Sequence, residues 1–140
     1  MKKRIGKLIS ILHRKSQIYL DKRLKACNIT ASEVPVLLPL YEHDGTTQEE
    51  LVVHTGLDKS AVTRILQGLI SKNYVTKKKD EKDLRCNRIY LTPSAFAIKE
   101  DVYRVLDDWN NLIMHHFVDE ERNQTYDLLE RMTENIQGEK

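Results

Sequence analysis

Residues 48–92 read QEELVVHTGLDKSAVTRILQGLISKNYVTKKKDEKDLRCNRIYLT. This stretch decides the fold. A short helix is expected over Gln48 to His54, closed by Thr55-Gly56. Asp58 is a good N-cap, so a second helix starts there and runs to about Asn73. Two strands follow, Tyr74 to Lys79 and Arg88 to Thr92, around a charged turn. Helix, tight glycine turn and second helix form a helix-turn-helix, whose second helix suits a DNA major groove. The strand pair makes a wing. A mostly α fold with a small β-wing results.

The second helix divides by chemistry. Leu57, Ala61, Val62, Ile65, Leu66 and Leu69 supply an apolar side. Lys59, Ser60, Thr63, Arg64 and Gln67 occupy its first turns and are the candidate base readers. Arg and Gln pair bidentately with guanine and adenine, and Ser and Thr adapt to several partners. A solvated polar face is the plainer reading of the same residues. The wing adds Lys77, Lys78 and Arg88 as phosphate contacts. Asp83, two residues before Arg85, is placed to orient that guanidinium for a narrow minor groove.

These motifs resemble those of the MarR (multiple antibiotic resistance regulator) family of bacterial winged-helix repressors. The resemblance rests on LDKSAVTRIL at Leu57 to Leu66, on D-x-x-D-x-R at Asp80 to Arg85 and on IYLT at Ile89 to Thr92. It extends to T-x-x-E-x-x-V-L-x-x-L from Thr30 to Leu40. It covers nearly the whole chain and implies an obligate homodimer whose outer helices pair, presenting two winged helices to palindromic double-stranded DNA. Ser60, Thr63 and Arg64 match the family's major-groove readers, and Asp83 and Arg85 its wing pair. Ala95 departs from the glycine common there. The family's inducers are often phenolic or aromatic acids, so a small aromatic ligand is an implied partner. Its pocket is left unassigned, with Tyr19, Trp109 and His13 as loose candidates.

Length and charge agree with one regulator domain. The chain has 140 residues, 40% hydrophobic and 31% charged, with a net charge of only +2. Charge is unevenly spread. Residues 1–30 carry a net +8, residues 31–57 a net −5, residues 58–92 a net +5 and residues 93–140 a net −6. Positive charge therefore gathers on the second helix, the wing and the N-terminal helix, where a phosphate would meet it. The expected organisation is a single unit over 1–140. Residues 30–92 form the winged domain, and residues 1–29 and 93–140 the dimerisation helices.

The flanks read as helices. Helix one is expected from Lys3 to Ala26, with Ile5, Leu8, Ile9, Leu12, Tyr19 and Leu24 at helical spacing. Thr30-Ala31-Ser32-Glu33 reads as a capping box. Pro39 should kink or end the following helix near Leu38. Thr46 or Thr47 caps the next. Pro93 opens one long helix with an apolar stripe from Ile98 to Phe117, and Val118 to Glu121 lead into a last helix. Neither stripe can be buried in so small a domain, which points to a second subunit.

Other chemistry is weaker. No signal peptide or membrane span is recognisable, so a cytoplasmic protein is expected. No enzyme motif, cofactor motif or metal-ligand spacing occurs. The neighbours His115 and His116 are expected to point apart on a helix. Cys27 and Cys86 are the only cysteines, and a disulfide between them is not expected. Arg85 and Arg88 beside Cys86 would lower its thiol pKa, leaving a redox-responsive regulator open as an alternative. A winged-helix scaffold for protein interactions is another.

Overall fold

The computed structural model describes residues 2–139. Its helices are α1 (Gly6–Leu24), α2 (Val34–Glu42), α3 (Gln48–Thr55), α4 (Lys59–Ser71), α5 (Pro93–Ala97), α6 (Lys99–Ile113) and α7 (Asp119–Ile136). Strands β1 (Val75–Lys79) and β2 (Asn87–Leu91) pair antiparallel in the register Val75↔Leu91, Lys77↔Ile89 and Lys79↔Asn87. The helices of the helix-turn-helix and the wing lie within two residues of their expected ends. Two compact units are present, one ending at Leu106 and the other starting at Asp107.

The first unit holds the winged helix. Leu37, Leu40, Leu51, Val62, Leu66, Leu69 and Ile89 are fully buried there. The C-terminal half of α1 belongs to this core through Leu20 and Leu24, and its Asp21 carboxylate accepts the Ala31 N–H at 2.7 Å. The helix starts at Gly6, three residues later than expected, with Ile5 at its N-cap and no side-chain cap. It ends at Leu24, and a 3-10 turn over Lys25–Cys27 closes on Asn28 in the left-handed region, φ 58°.

At Thr30 the expected cap is present on its Glu33 side. The Glu33 carboxylate accepts the Thr30 N–H at 2.8 Å and also takes the Lys72 ammonium at 2.7 Å. Glu33 is buried, so a single carboxylate joins the start of α2 to the end of α4. Pro39 does not end α2, so of the kink or early end expected there the early end is not found. It lies inside the helix, which continues to Glu42. The proline removes one backbone donor, but Val36, Leu37 and Leu40 are completely buried around it, and that packing holds the segment helical.

The wing has a third, very short partner. The Ile89 N–H donates to the Thr46 carbonyl at 3.0 Å, and the Gly45 N–H to the Ile89 carbonyl at 2.9 Å. The Asp44 carboxylate accepts the Leu91 N–H at 2.8 Å. Gly45 has φ +82°, and a Cβ there would lie 2.9 Å from Tyr90 Cε1. Thr47 then caps α3 by accepting the Glu50 N–H.

The expected long helix from Pro93 is two helices, α5 and α6, separated at Ile98. Thr92 caps α5. Tyr41 explains the break: its hydroxyl donates to the Ala95 carbonyl at 2.6 Å. That carbonyl is the acceptor a continuous helix would offer to the Lys99 N–H. Ala95 itself is fully buried.

In the second unit, α6 ends at Ile113, four residues short of the expected Phe117. Arg122 ties the last turn of α6 to the groups beyond it, donating to Asn111 Oδ1 at 3.1 Å, the Met114 carbonyl at 3.3 Å and the Phe117 carbonyl at 3.4 Å. His116 adopts φ 70°. The His115 and His116 rings therefore do not point apart as expected; their centroids lie 3.9 Å from one another. The last helix, α7, buries none of its residues and exposes Tyr126, Leu128, Leu129, Met132 and Ile136.

Two outcomes check this packing. Gly45→Ala should cost about 1–3 kcal/mol in denaturant unfolding, since it combines a left-handed backbone with a blocked Cβ. Burial, together with Tyr103, Cys27 and Tyr74, pushes the Tyr41 phenol up to about 12. A folded value above the unfolded one of about 10 means its contribution is complete below that pH. The contribution is lost as pH rises through about 12. In an alkaline absorbance titration the last phenol to ionise should vanish in Tyr41→Phe.

Candidate nucleic-acid interface

The turn into α4 is built from three local devices. Gly56 ends α3 in the left-handed region, φ 70°, and its N–H returns to the Val52 carbonyl. The Thr55 hydroxyl accepts the Leu57 N–H at 3.2 Å. The Asp58 carboxylate then accepts the Ala61 N–H at 2.8 Å and starts α4 sharply. Val62, Leu66 and Leu69 seal one side of α4 into the core with no exposed surface. Lys59, Ser60, Arg64 and Gln67 are exposed on the other. At spacings of three, four and seven residues, Ser60, Arg64 and Gln67 share one face.

Thr63 behaves differently from its neighbours. It is half-buried. Its hydroxyl donates to the Lys59 carbonyl at 2.9 Å and accepts from Gln48 Nε2 at 2.8 Å. Gln48 is itself buried. The pair fixes α3 against the outer turn of α4, and Thr63 keeps one lone pair for any further partner. Gln48 is a residue that the sequence reading passed over.

The wing tip is ordered by two carboxylates. Asp80 Oδ1 accepts the Lys82 N–H at 3.0 Å. Asp83 Oδ1 accepts both the Arg85 N–H at 3.1 Å and Arg85 Nε at 3.2 Å. Backbone closure comes from the Asp80 N–H donating to the Cys86 carbonyl at 2.9 Å and the Cys86 N–H to the Asp83 carbonyl at 3.0 Å. Arg85 is thus held at its root while 91% of its side chain faces solvent. The backbone and side-chain donors of Arg85 keep the Asp83 carboxyl below the usual carboxylate range.

Residues 28–85 match the model of the MarR family. A MarR transcriptional regulator from Methanosarcina mazei Go1 is similar over 94% of both chains, at 35% identity and a TM-score of 0.87. The chain belongs to the MarR family. The HTH-type transcriptional regulator YdgJ of Bacillus subtilis (strain 168) is 30% identical over 115 residues, 81% of this chain and 70% of that protein. A mutant MarR from E. coli, complexed with operator DNA, is 26% identical with a TM-score of 0.82, over 91% of this chain and 92% of that one. This MarR-family chain is a DNA-binding transcriptional regulator with a winged helix. No helix among its described residues is long and apolar enough to cross a membrane.

Within the MarR frame, the remaining candidates separate by what they touch. Lys77, Lys78 and Lys79 are exposed along β1, with Lys78 Nζ 5.6 Å from the centre of the Tyr90 ring. Arg88 is engaged inside the wing. It donates to the Gly45 carbonyl at 2.7 Å and pairs with Asp80 at 3.4 Å.

Cys86 carries a correction. Both cysteines are free thiols, Cys27 buried and Cys86 half-buried. The arginines beside Cys86 do not lower its pKa. Desolvation raises it first, followed by the carboxylates of Asp83 and Glu49, a hydrogen bond to Asp83, and Asp80. Arg85 and Arg88 direct their guanidinium groups to Asp83, Asp80 and Gly45 instead. The Cys27 thiol is also pushed up, by burial and then by Asp101. Neither thiol has the electropositive setting that makes a reactive thiolate. Against a chromogenic disulfide at neutral pH, Cys86 should react more slowly than free cysteine, and Asp83→Asn should accelerate it.

Proposed function

We propose that the protein is a homodimeric, sequence-specific repressor that binds a palindromic operator and is released by a small aromatic ligand. The observation that carries this reading is the division of α4 into a sealed apolar side and an exposed stripe of Ser60, Arg64 and Gln67. Arg64 and Gln67 have the donor geometry for guanine and adenine edges, and Lys59 and Ser60 stand at the N-terminal end, where recognition helices approach bases. Thr63 acts with Gln48 to hold the helix in register. Arg85, oriented by Asp83, enters the flanking minor groove, while Lys77 and Lys78 meet phosphates. Arg88 serves the wing from its base.

Dimerisation follows from surface left uncovered. Ile5 at the cap of α1 and Leu8, Ile9, Leu12 and Ile18 along it are exposed, and α7 exposes a comparable set. A regulator working in the cytoplasm would cover such faces with a second copy. Two recognition helices then fall ~34 Å apart, one helical turn of DNA. The ligand acts through unequal affinity for DNA-competent and incompetent spacings of those helices.

Selection from random duplex DNA at near-physiological salt tests the whole reading. Enrichment of a palindrome with half-sites about ten base pairs apart is the expected result. Binding without an enriched motif would sink sequence-specific recognition. On the selected site, Arg64→Ala should cost about 1–3 kcal/mol and relax choice at one position per half-site. Arg85→Ala should weaken binding most where the flanks are A·T-rich.

A further inference from the structure

The groove between α2 and α3 has a chemistry that DNA recognition does not use. It encloses about 360 Å³, a volume suited to a small organic molecule. Pro35, Leu38 and Pro39 form an apolar wall on α2. Glu42 and Glu50, one from each helix and both exposed, also line it. Among the described residues neither carboxylate has an ion-pair partner; the four ion pairs lie elsewhere. No Lys or Arg lines the groove, and none occurs between residues 31 and 57.

Its neutral polar groups lean the same way. The Thr46 hydroxyl donates its hydrogen to the His43 carbonyl, and the Thr55 hydroxyl donates to the Leu51 carbonyl. Both oxygens are left with lone pairs alone to offer. The imidazoles of His43 and His54 complete the lining. Among the described residues no three His, Cys, Asp or Glu side chains converge closely enough to hold a metal ion. The carboxylates thus share the groove with the apolar wall of Pro35, Leu38 and Pro39 without forming a metal-binding cluster.

We propose that this groove binds a small amphiphilic organic cation, its apolar body on the proline and leucine wall and its ammonium between Glu42 and Glu50. Charge complementarity selects the occupant: an anion would face two carboxylates with no fixed cation to offset them. Along α3 the site reaches the helix whose Gln48 holds Thr63 of α4. Occupancy there has a direct route to the DNA-reading helix.

Benzyltrimethylammonium is the probe, titrated into the full chain without DNA and followed by amide shifts in a two-dimensional NMR spectrum. Benzoate is the charge-reversed control. Saturable shifts confined to His43, Glu50, His54, Thr55 and their neighbours are expected with the cation and not with benzoate. The double variant Glu42→Gln, Glu50→Gln should keep the parent Tm and bind the cation at least about fivefold more weakly, as two solvent-facing charge contacts are lost. The proposal is overturned if the cation gives no saturable shift there, if benzoate gives the same shifts, or if the double variant binds as tightly as the parent.

Discussion

A buried carboxylate holds the winged domain together. Glu33 receives the Thr30 N–H and the Lys72 ammonium on the same oxygen, Oε1. A charge removed from water is tolerable only when such donors surround it. Gly68 of α4 packs beside this site: a Cβ at that position would stand 3.4 Å from the other oxygen, Oε2, at the edge of ordinary contact. The consequence is geometric. The start of α2 and the end of α4 are fixed to each other, and the exposed face of α4 inherits that position. Breaking the contact by removing Lys72 would leave an uncompensated charge in the interior, a harsher change than losing a surface pair.

The remaining polar contacts extend the same logic outward. Gln48 ties α3 to Thr63, Asp44 and Gly45 tie the α2–α3 connection to β2, and Arg88 ties the wing back to Gly45. Each joins an element of the helix-turn-helix to another across a long stretch of chain. The groups that face outward, Arg64, Gln67 and Arg85, then project from elements whose own positions are settled. Preorganisation of this kind limits the ordering that DNA binding must bring about. It also explains why two cationic residues of the wing have different surroundings: Arg85 is exposed at the tip, whereas Arg88 is consumed by the hairpin's own architecture.

What stood in the sequence were the local features. The cap at Asp58, the left-handed Gly56, the apolar and polar sides of α4 and the two wing strands all depend on residues within a few positions of each other. Their physics is short-range, so their spacing in the sequence is enough to expose them. The Asp83–Arg85 contact belongs to the same group, because a single residue separates its partners. Motifs with this spacing carried the family resemblance, and the comparisons agree with it.

Tertiary structure decided the rest, since the partners are distant in the chain. Pro39 remains inside α2 because buried neighbours outweigh one missing donor. The helix after Pro93 breaks because Tyr41, 54 residues away, takes the Ala95 carbonyl. Cys86 is surrounded by carboxylates in space although arginines flank it in sequence. The amino-acid order determined which segments are helices and strands and which residue types α4 displays. Folding alone determined which of those polar groups are left free, because a hydrogen bond or ion pair is assigned by distance in space and the sequence records only distance along the chain.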